Sequence, residues 1–163
     1  PLDIMHVVTR AGGTPPKDVD PNRQEWRLRE MARQSKKTGL PLNIKPAHWP
    51  TNMAPSAYAI IAAQEAGGGD LGKLVHGLTS ACWAGEQDIA QDDVIKDCLS
   101  AAGVDPSLAD SGLLQGAEIY TRNLEDAVAA GAFGAPFYIT DTDQPFWGQD
   151  RIDGLDALLV GGL

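Results

Sequence analysis

The sequence predicts a mixed α/β fold in which a long helical block is followed by a β-hairpin and a closing helix. Three observations predict it. Apolar residues recur at helical spacing between residues 20 and 130, glycines and acidic caps punctuate that stretch, and "APFYITD" then switches the texture to a strand run. With 163 residues, 43% of them hydrophobic, the chain is long enough for a genuine core.

The elements follow in order. "PLDIMHVV" reads as the end of a strand running into a short apolar segment, and Arg10 to Pro21 as a Gly/Pro-rich loop. Asp20-Pro21 gives an N-cap followed by proline at the first helical position. The helix it opens runs to about Lys37 and stops at Gly39, with Trp26, Leu28, Met31 and Ala32 as its inner edge. Leu40 to Asn52 is an extended connection. An alanine-rich helix spans Ala54 to Ala66 and ends in Gly67, Gly68 and Gly69. Asp70 caps the next, in which Leu71, Leu74, Val75, Leu78, Cys82 and Trp83 recur at helical spacing. Asp92-Asp93 starts another, with Val94, Ile95, Cys98 and Leu99 inward and Gly103 at its end. A turn at Pro106 to Ala109 leads into a helix from about Ser111 to Ala130, closed by Gly131. The strands "APFYITD" and "PFWG" flank a "TDQP" turn, and Asp150 opens a last helix over Arg151 to Val160.

Two strands do not make a stable sheet alone, so the reading expects further strands outside this sequence, with Pro1 to Ile4 as the tail of one. The chain opens on proline rather than methionine, which predicts either that something has been removed or that the numbering begins inside a longer polypeptide. No secretory signal or membrane-length apolar stretch is present, and no membrane association is expected.

Net charge of −9 argues against nucleic acid as a partner, because phosphate binding needs a positive footprint. The basic run from Arg23 to Lys37 alternates with Glu25 and Glu30 and reads as a solvated helix face. Cys82 and Cys98, without a CxxC, read as buried free thiols, in keeping with a reducing compartment. His6, His48 and His76 show no metal-ligand spacing.

Two segments carry candidate chemistry. In "GAFGAPFYI", Pro136 heads a strand run. It either marks a plain strand start or follows a cis bond that leaves the N–H and C=O of Ala135 free for an extended ligand. In "FWGQDR", Asp150 suits an N-cap, and it also suits a ligand ammonium, with Gln149 beside it offering both donor and acceptor. Trp147 adjoins this pair and is the best candidate to line a substrate site. The two segments lie one hairpin apart, so they would present a free backbone edge and a zwitterion pocket side by side.

"GAFGAP…FWGQDR" followed by an apolar helix resembles the C-terminal signature of the 2-hydroxychromene-2-carboxylate isomerases, which share the DsbA-like branch of the thioredoxin fold with kappa-class glutathione transferases. The kappa enzymes carry FGSDR where this chain has WGQDR, a form closer to the isomerases. The resemblance extends to the GG-x-P loop, "RQEWRLREMARQ", "WPTN" and "CWAGEQDIAQDDVI". It implies a thioredoxin-like fold with a large all-helical insertion. Residues 1–19 would end the N-terminal half, 20–130 form the insertion that roofs the site, and 131–163 complete the thioredoxin-like part.

The resemblance also implies glutathione as cofactor and an unsaturated or aromatic-derived acid as substrate. Ala135, before a cis Pro136, would pair through its backbone with the cysteinyl unit. Gln149 and Asp150 would hold the γ-glutamyl head, and Arg23 stands where kappa enzymes place a lysine for the glycyl carboxylate. Isomerisation would proceed by reversible thiolate addition, in a cytoplasmic homodimer. No metal is implied. A serine that orients the thiolate in the family has no counterpart here and is expected upstream of Pro1. Gly13 replaces the loop asparagine of the family, with Thr14 as a partial substitute. A kappa-type transferase and a DsbA-like thiol-disulfide oxidoreductase are the alternatives.

Overall fold

The computed structural model describes residues 1–162, so the last residue of the 131–163 stretch lies outside the described residues. The chain divides into two compact units, one of Pro1–Leu2 with Val19–Asn123 and one of Asp3–Asp18 with Leu124–Leu163.

In the first unit, Asp20 caps helix α2 (Pro21–Thr38) by accepting from the amides of Asn22 and Arg23, and Gly39 closes it in the left-handed conformation. None of its residues is buried, and Trp26, expected on the inner edge, is 57% exposed. Leu28, Met31 and Ala32 are only half-buried. The 40–53 connection is irregular. Helices α3 (Ala54–Ala66), α4 (Leu71–Trp83) and α5 (Asp92–Ala101) pack on one another and, with the short α6 (Leu108–Ser111), enclose the core. Ala59, Leu74, Leu78, Ile95 and Leu99 are at its centre. Each fully buried leucine or isoleucine contributes about 1.5–3 kcal/mol. Val75, placed in the same helical spacing, is exposed, because only the Leu74/Leu78 side of α4 faces that core.

The helix expected from about Ser111 to Ala130 is present from Leu113, and the turn expected before it holds a short helix of its own. α6 ends at Gly112, and α7 (Leu113–Ala129) starts afresh. A methyl group on Gly112 would lie 2.3 Å from Ala62 Cβ and 2.7 Å from Leu108 O, so α3 approaches the turn more closely than any side chain allows.

In the second unit the opening is helical rather than extended. Asp3 accepts from the amides of Met5 and His6 and caps α1 (Ile4–Arg10), which overturns the strand expected there. The sheet is one antiparallel hairpin, β1 (Phe137–Ile139) with β2 (Pro145–Trp147), in the register Phe137↔Trp147, Tyr138↔Phe146 and Ile139↔Pro145. The turn between them closes with Thr140 N–H donating to Gln144 O at 3.1 Å. A 3-10 turn over Gln149–Arg151 precedes α8 (Ile152–Leu159). Asp150 falls inside that turn, so its carboxylate does not cap the helix, and the cap expectation is corrected.

Candidate functional site

Five of the six residues singled out from the sequence lie in the second unit, on the hairpin and the turn that follows it. Pro136 O accepts from Gly148 N–H at 3.0 Å, and Thr140 pairs with Gln144 in the same alternation. The backbone groups of Pro136, Tyr138 and Thr140 therefore face β2. Those of Phe137 and Ile139 point to the opposite edge. Ala135, preceding the cis bond to Pro136, has no hydrogen-bond partner for its N–H or C=O among the described residues.

Gly148 joins the two segments. Its amide holds Pro136, and the Asp150 carboxylate folds back over it, close enough that a methyl group on Gly148 would lie 2.5 Å from Asp150 Oδ1. Gln149 and Asp150 are both exposed. Asp150 makes a long ion pair with its neighbour Arg151, at 3.8 Å, and both side chains are exposed.

Trp147 forms the apolar side. Its indole lies on Gly134, where an added methyl group would meet Nε1 at 2.5 Å, and it remains 52% exposed. Phe133 stands edge-on to it at 5.0 Å and to Phe137 at 4.9 Å, so the three rings form one cluster beside Ala135. Sequence reasoning passed over Phe133 and Gly134, although "AFGAPF" holds two aromatics flanking a glycine. Phe133 also borders an open cavity of about 370 Å³ lined by Val7, Arg10 and Val128. The Arg10 guanidinium there donates to both carboxylate oxygens of Glu125, at 2.8 and 2.9 Å. That pairing holds the Glu125 carboxyl below its usual range.

Arg23 lies in the first unit, in the first turn of α2. Its amide donates to Asp20 Oδ1 at 3.3 Å, and its guanidinium has no partner among the described residues. Gly13 donates to Val8 O at 2.7 Å, and a Cβ there would meet Val8 Cγ1 at 2.5 Å. The asparagine expected from the resemblance would not fit this turn without displacing Val8.

Cys82 and Cys98 are free, on α4 and α5. Burial, and after it the charges of Asp88 and Glu86, push the Cys82 thiol up; burial and then Asp97 do so for Cys98. Both stay protonated at neutral pH, which is the wrong direction for a nucleophilic thiolate. Among the described residues no group of three or more His, Cys, Asp or Glu is placed to hold a metal ion. No helix among them is long and apolar enough to cross a membrane.

No curated protein matches the chain. Among solved structures, that of a 2-hydroxychromene-2-carboxylate isomerase superposes with a TM-score of 0.75 at 19% identity, covering 98% of this chain and 77% of the other. At that identity the likeness shows the fold, a thioredoxin fold of DsbA type that is mostly helical with a small two-stranded sheet. The sequence matches the DSBA-like thioredoxin domain over residues 1–160, and the chain belongs to that family.

Proposed function

We propose that this chain binds glutathione and serves a glutathione-dependent isomerisation of the 2-hydroxychromene-2-carboxylate type, on an unsaturated, aromatic-derived acid. One observation carries the reading: Gly148 donates to Pro136, next to the unpartnered backbone of Ala135, and also lies against the exposed carboxylate of Asp150.

These groups fit a γ-glutamyl tripeptide. A peptide unit needs a paired donor and acceptor, which Ala135 offers on one residue. An amino-acid head carries an ammonium and a carboxylate; Asp150 suits the first and the Gln149 side-chain amide the second. When bound, glutathione supplies a thiolate nucleophile that is recovered after turnover. The chain's own part is to orient the tripeptide through Ala135 and to hold its head through Gln149 and Asp150. The exposed rings of Trp147 and Phe133 keep water from that edge and offer an apolar wall to an aromatic acid.

Isothermal titration of the chain with glutathione tests this directly. We expect saturable heat from the parent and from S-methylglutathione, since holding the tripeptide does not need its thiol. Asp150→Ala should weaken binding about tenfold or more, the loss of one charge-assisted contact, and Gln149→Ala less. An absence of heat from folded protein, or an Asp150→Ala variant that binds like the parent, would overturn the reading. Glutathione is recovered in isomerisation and consumed in conjugation. Its level during turnover of a generic electrophile therefore separates this reading from a kappa-type transferase.

A further inference from the structure

Within the second unit, α1, the last turn of α7 and the stretch from Gly131 to Phe133 border the cavity of about 370 Å³ noted above. Its size falls in the range of roughly 300–1,000 Å³ usual for small-molecule sites. Val7, only 1% exposed, Val128 and Ala132 give it apolar walls, and the Phe133 ring stands at its edge. The backbone around it is already satisfied where the two helices end. Val7 O accepts from the Ala11 amide at 3.0 Å, Ala127 O from Ala132 at 2.9 Å, and Val128 O from Gly131 at 3.0 Å. Those carbonyls ask nothing of a ligand.

Arg10 is the one ionisable residue among the described residues that line the cavity. It belongs to the last turn of α1, where the helix dipole favours a cation. Its guanidinium gives only Nη1 to Glu125, whereas Nη2 and Nε make no hydrogen bond among the described residues. The two side chains are 44% and 58% exposed, and an exposed pair of this kind is weak and readily exchanged. The other charges on these elements are engaged elsewhere or stand outside the lining. His6 and Asp3 pair with each other at 2.7 Å, and Asp126 is exposed next to Glu125. The site thus combines an apolar interior with one guanidinium that still has a fork of donors to give.

We infer that this cavity is a binding site for a small apolar carboxylic acid, its hydrocarbon body against Val7, Val128 and Phe133 and its carboxylate on Arg10. Glu125 is the built-in competitor: it occupies the same guanidinium with a carboxylate of the protein's own and so sets how tightly the acid is held. Ala135, Gln149 and Asp150 do not line the cavity, so the site stands whether or not the chain binds glutathione.

Titration of the chain with benzoate, followed by calorimetry and without glutathione present, tests it. The expected dissociation constant is below about 1 mM. Benzamide, the same shape without the charge, should bind at least about tenfold more weakly, and Arg10→Gln should cost benzoate a similar factor. Glu125→Gln should tighten benzoate about two- to fivefold, an effect that a merely structural ion pair would not produce. Nuclear Overhauser contacts from the benzoate ring to the Val7 and Val128 methyl groups locate the ligand, and circular dichroism establishes that each variant is folded. Weaker binding than about 1 mM would sink the inference. So would equal affinity for benzamide, an Arg10→Gln variant that binds like the parent, a Glu125→Gln variant no tighter than the parent, or ring contacts to neither valine.

Discussion

At Gly112 and Gly134 the structure has room for a hydrogen and nothing larger, and the two sites differ in what stands in the way. Gly112 faces Ala62 and the Leu108 carbonyl, backbone-anchored atoms with no freedom to retreat. Gly112→Ala should therefore cost about 1–3 kcal/mol, read as a lower urea midpoint at unchanged slope. Gly134 faces the Trp147 indole, a half-exposed ring that can swing away. Gly134→Val should leave stability nearly intact while displacing Trp147, and so weaken glutathione binding in the titration above. Sequence reasoning found Ala135, Gln149 and Asp150 as candidates, and the structure adds Gly148, which donates to Pro136 and lies against the Asp150 carboxylate. It could not find Gly112, because the reason for that glycine is a residue fifty positions away on another helix. Asp150 was legible as a carboxylate at the start of a helix, but the 3-10 turn that frees it from capping was not.

Among the elements, helix ends were the most readable feature, since caps are local chemistry: Asp20, Asp70 and Gly39 all stand where they were expected. The opening segment misled because its paired valines favour a strand, whereas Asp3 supplies two amide acceptances that start a helix instead. Nor did proline content reveal how the 40–53 connection is fixed. Two carboxylates after α4 fasten it. Glu86 accepts from Asn43 Nδ2 at 2.6 Å and from the Ala47 amide, while Asp88 accepts from Thr51 Oγ1 at 2.6 Å. The Trp49 and Trp83 rings, 4.7 Å apart, add to this seam. Glu86→Ala should cost about 1 kcal/mol and speed exchange of the Ala47 amide, measurable by hydrogen–deuterium exchange. The hydroxyl of Thr51, then the Gln91 amide and the Ala90 N–H, hold the Asp88 carboxyl below its usual range. A depressed carboxyl stabilises the fold above its unfolded value and loses that contribution as pH falls through the folded one. Asp88→Asn should accordingly flatten the acid limb of the stability–pH curve while lowering stability at neutral pH.

On the scale of the molecule, burial is unevenly shared. The cluster around Leu74, Leu78, Ile95 and Leu99 belongs to the first unit, whereas among the described residues of the second the buried ones are Val7, Leu124 and Gly134. Hydrogen exchange should follow that division, with the amides of Leu74, Leu78, Ile95 and Leu99 slowest and those of Tyr138 and Phe146 faster by at least about tenfold. Equal protection in the hairpin would contradict it. Four tryptophans divide in the same way: Trp26, Trp49 and Trp83 are in the first unit and Trp147 is in the second. The indole resting on Gly134 is thus a fluorophore private to the unit that carries Ala135 and Asp150. Subtracting the emission of Trp147→Phe from that of the parent leaves a spectrum that reports on this unit alone, its melting and its ligands alike, in a chain that needs no added dye.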